Sequence, residues 1–221
     1  MEIRNILMMV LLSFMSGTTI KAQFNTVGRL YNHKVHKTKN PQETNTSSLV
    51  DNMMLKDSLK NDSVKELKAR YMSVSYPLSK IKINSPYGYR KDPISGKRKF
   101  HNGLDLHARS SKVLAMVTGE VVTVGQDNVS GKYVTLKHGD FIVSYCHLSR
   151  ILAYQGQSVK AGDIVGITGS TGRSTGEHLH ITCKFHGNSI DPMLIFKHIE
   201  ATRQSCVASL QNYKVESMLR Y

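Results

Sequence analysis

From Tyr76 to Pro192 short β-branched runs alternate with glycine-containing turns. Gly119-Glu120-Val121-Val122-Thr123-Val124-Gly125, Tyr133-Val134-Thr135-Leu136, Phe141-Ile142-Val143-Ser144-Tyr145 and Asp163-Ile164-Val165-Gly166-Ile167 are examples. Branched and aromatic side chains lose rotamer freedom in a helix and pack well on a pleated surface. Short runs at regular spacing with turn signals predict an all-β sandwich or barrel-like domain. No strand–helix alternation points to a βαβ fold. The pattern stops at Ile190-Asp191-Pro192. Beyond it Leu194, Ile195, His198 and Ile199, then Val207 and Leu210, fall at helical spacing and predict a helical tail over 193–221.

The chain before Tyr76 reads differently. Leu49, Val50, Met53 and Met54 repeat at helical spacing, as do Val64, Leu67 and Tyr71. Ser63 followed by Glu66 fits a capping box, so a second helix is predicted to start near Asp62. This segment could pack on the domain, block its groove or space it from a membrane. Residues 23–46 are polar, basic and rich in Asn and Thr, which predicts a flexible lead-in. Residues 1–22 have a basic start, an apolar run from Ile6 to Met15 and a close at Ile20-Lys21-Ala22. This is the pattern of a cleaved signal peptide, with an uncleaved anchor as the alternative. The run is short against the roughly 20 apolar residues of a spanning helix. No Cys follows it, which argues against a lipid-anchored start. The chain therefore divides into a signal peptide (1–22), a polar and helical extension (23–75), a β domain (76–192) and a helical tail (193–221). The mature protein is therefore expected to be exported, with contact with the membrane ending at cleavage.

Charge narrows the partner. Lys and Arg number 30 against 16 Asp and Glu, a formal charge of +14. That balance attracts an anionic partner: nucleic acid, a membrane surface or an anionic polymer. The cations form no block and do not interleave with aromatic residues, so nucleic acid is not the expected partner. Cys146, Cys183 and Cys206 are too few for a disulfide framework. Cys146 and Cys183 sit at odd steps from the histidines near them, so both are expected to face away from those histidines. They are read as two buried thiols, or as a disulfide in an oxidising compartment.

Within Gly176-Glu177-His178-Leu179-His180-Ile181-Thr182, two histidines lie two apart in an apolar run. Residues i and i+2 of a strand share a face. Such a pair can bind a metal, transfer a proton, or divide those tasks. Its partners are in the chain: His101-Asn102-Gly103-Leu104-Asp105 places a carboxylate four residues after a histidine. Two nitrogen ligands and one oxygen ligand leave a position open for water, the pattern of a catalytic zinc site. His147 ends an apolar strand, as a side chain at an open sheet face does.

Together these segments resemble the lysostaphin-type zinc endopeptidases, bacterial enzymes that cut peptidoglycan peptides. The resemblance spans about residues 80–192. It runs from Ile83-Asn84-Ser85-Pro86-Tyr87-Gly88-Tyr89-Arg90 and Asp92-Pro93-Ile94-Ser95-Gly96 through His101-Asn102-Gly103-Leu104-Asp105. It continues through Tyr145-Cys146-His147-Leu148-Ser149, Val159-Lys160-Ala161-Gly162-Asp163 and Gly169-Ser170-Thr171-Gly172 to Gly176-Glu177-His178-Leu179-His180. It implies a small two-layer antiparallel β-sheet catalytic domain with a groove over one Zn²⁺ per chain. It implies His101, Asp105 and His180 as zinc ligands, His147 and His178 as catalytic histidines, and peptidoglycan peptides as substrate.

The expected chemistry is hydrolysis by a zinc-activated water. One of His178 and His147 is expected to act as its base and the other to hydrogen-bond the oxyanion, with His178 favoured as the base and the sequence alone leaving the division open. No His-Glu-x-x-His helix is present, so the thermolysin arrangement does not apply. Arg90 and Tyr145 are expected to shape the groove. His107 shares the face of Asp105 but is read as solvated. His138 and His186 are placed in turns, and His33, His36 and His198 at the surface. Gly169-Ser170-Thr171-Gly172 lacks the following Lys of a phosphate cradle and is read as a turn at the groove edge. The alternative function is a non-hydrolytic peptidoglycan-binding regulator of the same fold that activates another wall hydrolase.

Overall fold

The computed structural model describes residues 61–218. The expected signal peptide, the lead-in and the first helical stretch lie outside the described residues. The described part opens with helix α1 (residues 61–72), where the second helix is expected. Twelve strands follow: β1 Ile83–Ser85, β2 Gly88–Lys91, β3 Arg98–His101, β4 Leu104–His107, β5 Lys112–Leu114, β6 Gly119–Asp127, β7 Gly131–His138, β8 Phe141–Ile151, β9 Ser158–Val159, β10 Ile164–Thr168, β11 His178–Phe185 and β12 Asn188–Ile190. Helix α2 (Met193–Met218) closes it. The fold is all-β with flanking helices.

Ten strands form one antiparallel sheet in the order β1-β4-β11-β8-β7-β6-β9. In addition β12 pairs with β11, and β10 pairs with both β8 and β5. Strands β2 and β3 form a separate hairpin. Alternation gives the central strands two different faces. Leu104, Leu106, Val134, Leu136, Val143, Tyr145, Leu179 and Ile181 are buried in the core. Val113, Met116 and Val165 from the β5–β10 side pack into the same cluster, as do Ile195, Phe196 and Ile199 of α2. The apolar stripe of α2 thus seals the sheet. Its start is set by Asp191, whose Oδ1 accepts from Met193 N at 2.9 Å, with Pro192 in the turn that leads into the helix.

Helix α1 docks on α2. Arg203 donates to the Tyr71 hydroxyl at 2.8 Å and lies 4.6 Å over the Tyr71 ring. The described part of this segment, residues 61–75, packs on the body and does not line the groove.

Three cysteine and histidine expectations change. Cys146, Cys183 and Cys206 are all buried and free. Cys183 faces the core as expected, but Cys146 lines the groove. The two thiols therefore lie on opposite faces of the sheet and form no bridge. His138 is buried at the end of β7 with Nδ1 against the Thr118 carbonyl at 3.0 Å. His198 is half-buried on α2. His186 does sit in a turn, with φ of 47°.

Candidate metal centre

Strand β11 lies between β4 and β8, and the site follows from that register. His180 stands opposite Asp105 on one side and opposite Cys146 on the other, while His178 stands opposite His107. Directly paired residues share a face. His180 therefore meets Asp105 over the sheet surface that Leu179 and Ile181 do not occupy. His101 arrives from the hairpin side at the end of β3. Gly103 carries the chain from β3 to β4 under the site: a Cβ there would come 2.5 Å from the His180 ring and 2.6 Å from Ile181 O.

Three donor atoms converge. His180 Nδ1 lies 2.6 Å from Asp105 Oδ1, and His101 Nε2 lies 3.2 Å from both His180 Nδ1 and Asp105 Oδ1. His101 donates Nδ1–H to the Pro86 carbonyl at 2.7 Å, which leaves the lone pair on Nε2 facing the cluster. Arg90 Nη2 holds the other carboxylate oxygen, Oδ2, at 3.3 Å. Burial opposes ionisation of Asp105, but the His101 and His180 imidazoles beside it outweigh burial and hold its carboxyl well below the ordinary range. Two imidazole nitrogens and a carboxylate oxygen, ionised and mutually close, are a donor set that fits Zn²⁺.

Two further imidazoles flank this cluster. His178 sets Nδ1 2.8 Å from the Gly176 carbonyl, and its Nε2 stands 3.6 Å from Asp105 Oδ1. His147 owes its place to a β-bulge. On β8, Cys146 and His147 together oppose the single Tyr133 of β7, because the register passes from Val134↔Tyr145 to Lys132↔Leu148. His147 takes a left-handed φ of 60°, a conformation His tolerates better than most residues. Its backbone N donates to Ser130 O at 2.8 Å, and its Nδ1–H donates to Thr171 O at 2.8 Å. Its ring centroid lies 4.7 Å from that of His178 and 5.6 Å from that of His180. Burial pushes the His147 imidazole down to about 4, so the ring is neutral near pH 7.

The five expected site residues, His101, Asp105, His147, His178 and His180, all line one groove of about 530 Å³. Arg90 lines it as well. Tyr145 does not: its side chain is fully buried and its hydroxyl accepts from Met116 N at 3.1 Å. It lies on the core face with Val143, two residues before it. His107 is exposed and does not line the groove. Thr171 was legible only as part of a turn, yet its carbonyl orients His147. Asp92 and Arg173 also line the groove and join across 81 residues of sequence, a separation over which no local pattern signals contact.

An all-β domain presenting a two-histidine, one-aspartate cluster beside two free-edged imidazoles in an open groove has the build of a metallohydrolase. Residues 99–192 match peptidase family M23. The chain is 36% identical over 121 residues to the DD-carboxypeptidase/endopeptidase Mpg of Neisseria meningitidis, covering 54% of this chain and 28% of that protein. It is 35% identical over 122 residues to the peptidoglycan DD-endopeptidase ShyA of Vibrio cholerae, covering 53% and 28%. The chain thus spans less than a third of the length of these curated relatives. Among solved structures, a zinc-containing peptidase from Vibrio cholerae aligns with a TM-score of 0.50 at 33% identity, over 53% of this chain and 38% of that one. The catalytic domain of lysostaphin from Staphylococcus simulans is also 33% identical, over 53% of this chain and 92% of that domain, with a TM-score of 0.49. Residues 99–192 thus form a domain of peptidase family M23, a metallopeptidase family.

Proposed function

We propose that this protein is an exported zinc endopeptidase that hydrolyses peptide bonds in bacterial peptidoglycan, in the stem peptide or its cross-link. One observation carries the reading. Three donor atoms suited to Zn²⁺ lie within 4.8 Å of one another, beside two imidazoles that each turn Nδ1 to a carbonyl. The names of the relatives support the substrate class, and the basic composition suits an anionic wall polymer. Action on the wall in turn calls for export to the periplasm or cell surface. Among the described residues no helix is long and apolar enough to cross a membrane.

In this reading His101 Nε2, His180 Nδ1 and Asp105 Oδ1 hold the ion, and Arg90 fixes the second carboxylate oxygen. Bound there, Zn²⁺ supplies a Lewis acid that polarises a carbonyl and lowers the pKa of water beside it to about 7 in favourable sites. The proton work falls to the chain. A neutral imidazole whose Nδ1–H is donated to a carbonyl presents a bare Nε2, which accepts and does not donate. This holds for His147 and for His178. His178 turns its Nε2 to the cluster, 3.6 Å from Asp105 Oδ1, and from there takes the proton of the attacking water and returns it to the leaving amine. Burial disfavours a positive His147. Its Nε2 instead accepts a hydrogen bond that aligns the water, a change from the oxyanion-donor role expected from sequence.

The test is zinc content and digestion of purified sacculi, with and without a chelator. His180→Ala is expected to lose both metal and activity, whereas His178→Ala keeps the metal and loses activity. Cleavage that survives chelation, or protein that takes up no zinc, overturns the proposal.

A further inference from the structure

The groove is bridged from wall to wall. One wall is the β2–β3 hairpin, which leads through His101 into β4 at one side of the floor. The other is the 170–175 segment, anchored at the opposite side. There Arg173 N donates to Val129 O at 3.0 Å, Thr171 Oγ1 accepts from Lys132 N at 2.9 Å, and Thr171 Oγ1 donates to Leu148 O at 2.8 Å. Strands β4, β11, β8 and β7 form the floor between these walls. Across it, Arg173 Nη2 lies 3.1 Å from both carboxylate oxygens of Asp92 at the hairpin tip.

The two ends of this bridge differ in firmness. The 170–175 segment is pinned to three floor-side segments. The hairpin is a two-stranded ribbon that pairs with no strand of the main sheet, and such ribbons are marginal alone. Its base is tied by Tyr87 to Ser189, and Arg90, two residues before Asp92, is tied to Asp105. Arg173 holds its tip. The pair is partly exposed, with side-chain exposures of 40% for Arg173 and 16% for Asp92, so it is weak and salt-screened. A contact of that kind opens thermally.

We infer that Asp92 and Arg173 form a strap that sets the width of substrate the groove accepts. Closed, it passes a single extended peptide strand over the histidine cluster. A branched peptide, in which a second chain leaves through a side-chain amide, enters only when the hairpin tip lifts. The inference rests on the peptidase reading for its substrate and on the wall geometry for the strap itself.

The test uses the full-length, zinc-loaded protein and cross-linked peptide dimers released from sacculi. Asp92→Asn keeps the carbonyl oxygen that accepts from Ile94 N and Ser95 N and removes the charge. Arg173→Gln removes the other partner. Each is expected to raise kcat/KM on the dimers by roughly twofold to fivefold at low salt, the range an exposed ion pair supports. The double variant is expected to match either single one, and high salt to bring the wild type to the same value. Additive effects, or lower kcat/KM in the variants, overturn the strap. A second readout needs no activity: in Arg173→Gln the backbone amides of Asp92 and Gly96 at the hairpin tip should exchange hydrogen faster. Unchanged exchange overturns the strap. Faster exchange with no hydrolysis by any form supports the strap and overturns the peptidase reading.

Discussion

The burial of His147 has a measurable consequence for stability. Its imidazole is pushed from the ordinary 6.5 down to about 4 by burial, against a partial gain from the Thr171 carbonyl. The folded state therefore disfavours the charged ring, and the unfolded chain takes up the proton first as pH falls. The contribution to stability is complete above about pH 6.5, declines as pH drops below it, and is fully lost near pH 4. Between pH 7.5 and pH 5 the shift corresponds to about 2 kcal/mol lost by the wild type through this one group. His147→Asn isolates it. Asn tolerates the left-handed φ of 60° and carries an amide N–H that can reach the Thr171 carbonyl, but it does not titrate. Urea unfolding of both metal-free proteins at the two pH values gives the answer. His138 and His198, whose protonation burial also lowers, are present in both proteins and cancel in the difference. The wild type should lose about 2 kcal/mol more than the variant on acidification. A wild-type to variant difference that is the same at both pH values refutes the claim that the fold holds His147 neutral, and with it the role of His147 as an acceptor.

Two other substitutions separate the site from the scaffold. Gly103→Ala sets a Cβ against the His180 ring and Ile181 O, so it should weaken zinc binding measurably in a competitive chelator titration and cost about 1–3 kcal/mol in unfolding. Tyr145→Phe leaves the buried Met116 amide without its acceptor and should cost about 1–3 kcal/mol, read from denaturant midpoints, with zinc affinity unchanged because the ring packs on the core face.

The parts of this fold that obey a simple period were legible in the sequence. Alternation located β6, β7, β8 and β10, and the helical spacing after Pro192 located α2. Two residues on one strand face located the His178–His180 pair. Contacts made by tertiary closure had no such signature. Arg173 meets Asp92 only because the hairpin and the 170–175 segment stand on opposite walls of one groove. Thr171 orients His147 only because its loop is folded back on β7 and β8.

The bulge on β8 is where periodicity itself misleads. Strict alternation through Phe141, Val143 and Tyr145 assigns the next odd residue, His147, to the core and Cys146 to the groove. Starting from a functional His147 and stepping back by one gives the reverse, with Cys146 in the core. Neither is right, because Cys146 and His147 together oppose Tyr133 and both turn to the groove side, while Leu148 returns to the core. An extra residue in one strand re-aims a side chain without disturbing the strands beyond it. Here it adds an imidazole to a face that regular pleating would supply only with Ser144 and Cys146. The left-handed φ at His147 is the local cost of that placement, and the hydrogen bonds from its backbone N to Ser130 O and from its ring to Thr171 O hold it there. The residue whose pattern fits its strand least is thus the one the groove depends on for its second imidazole edge.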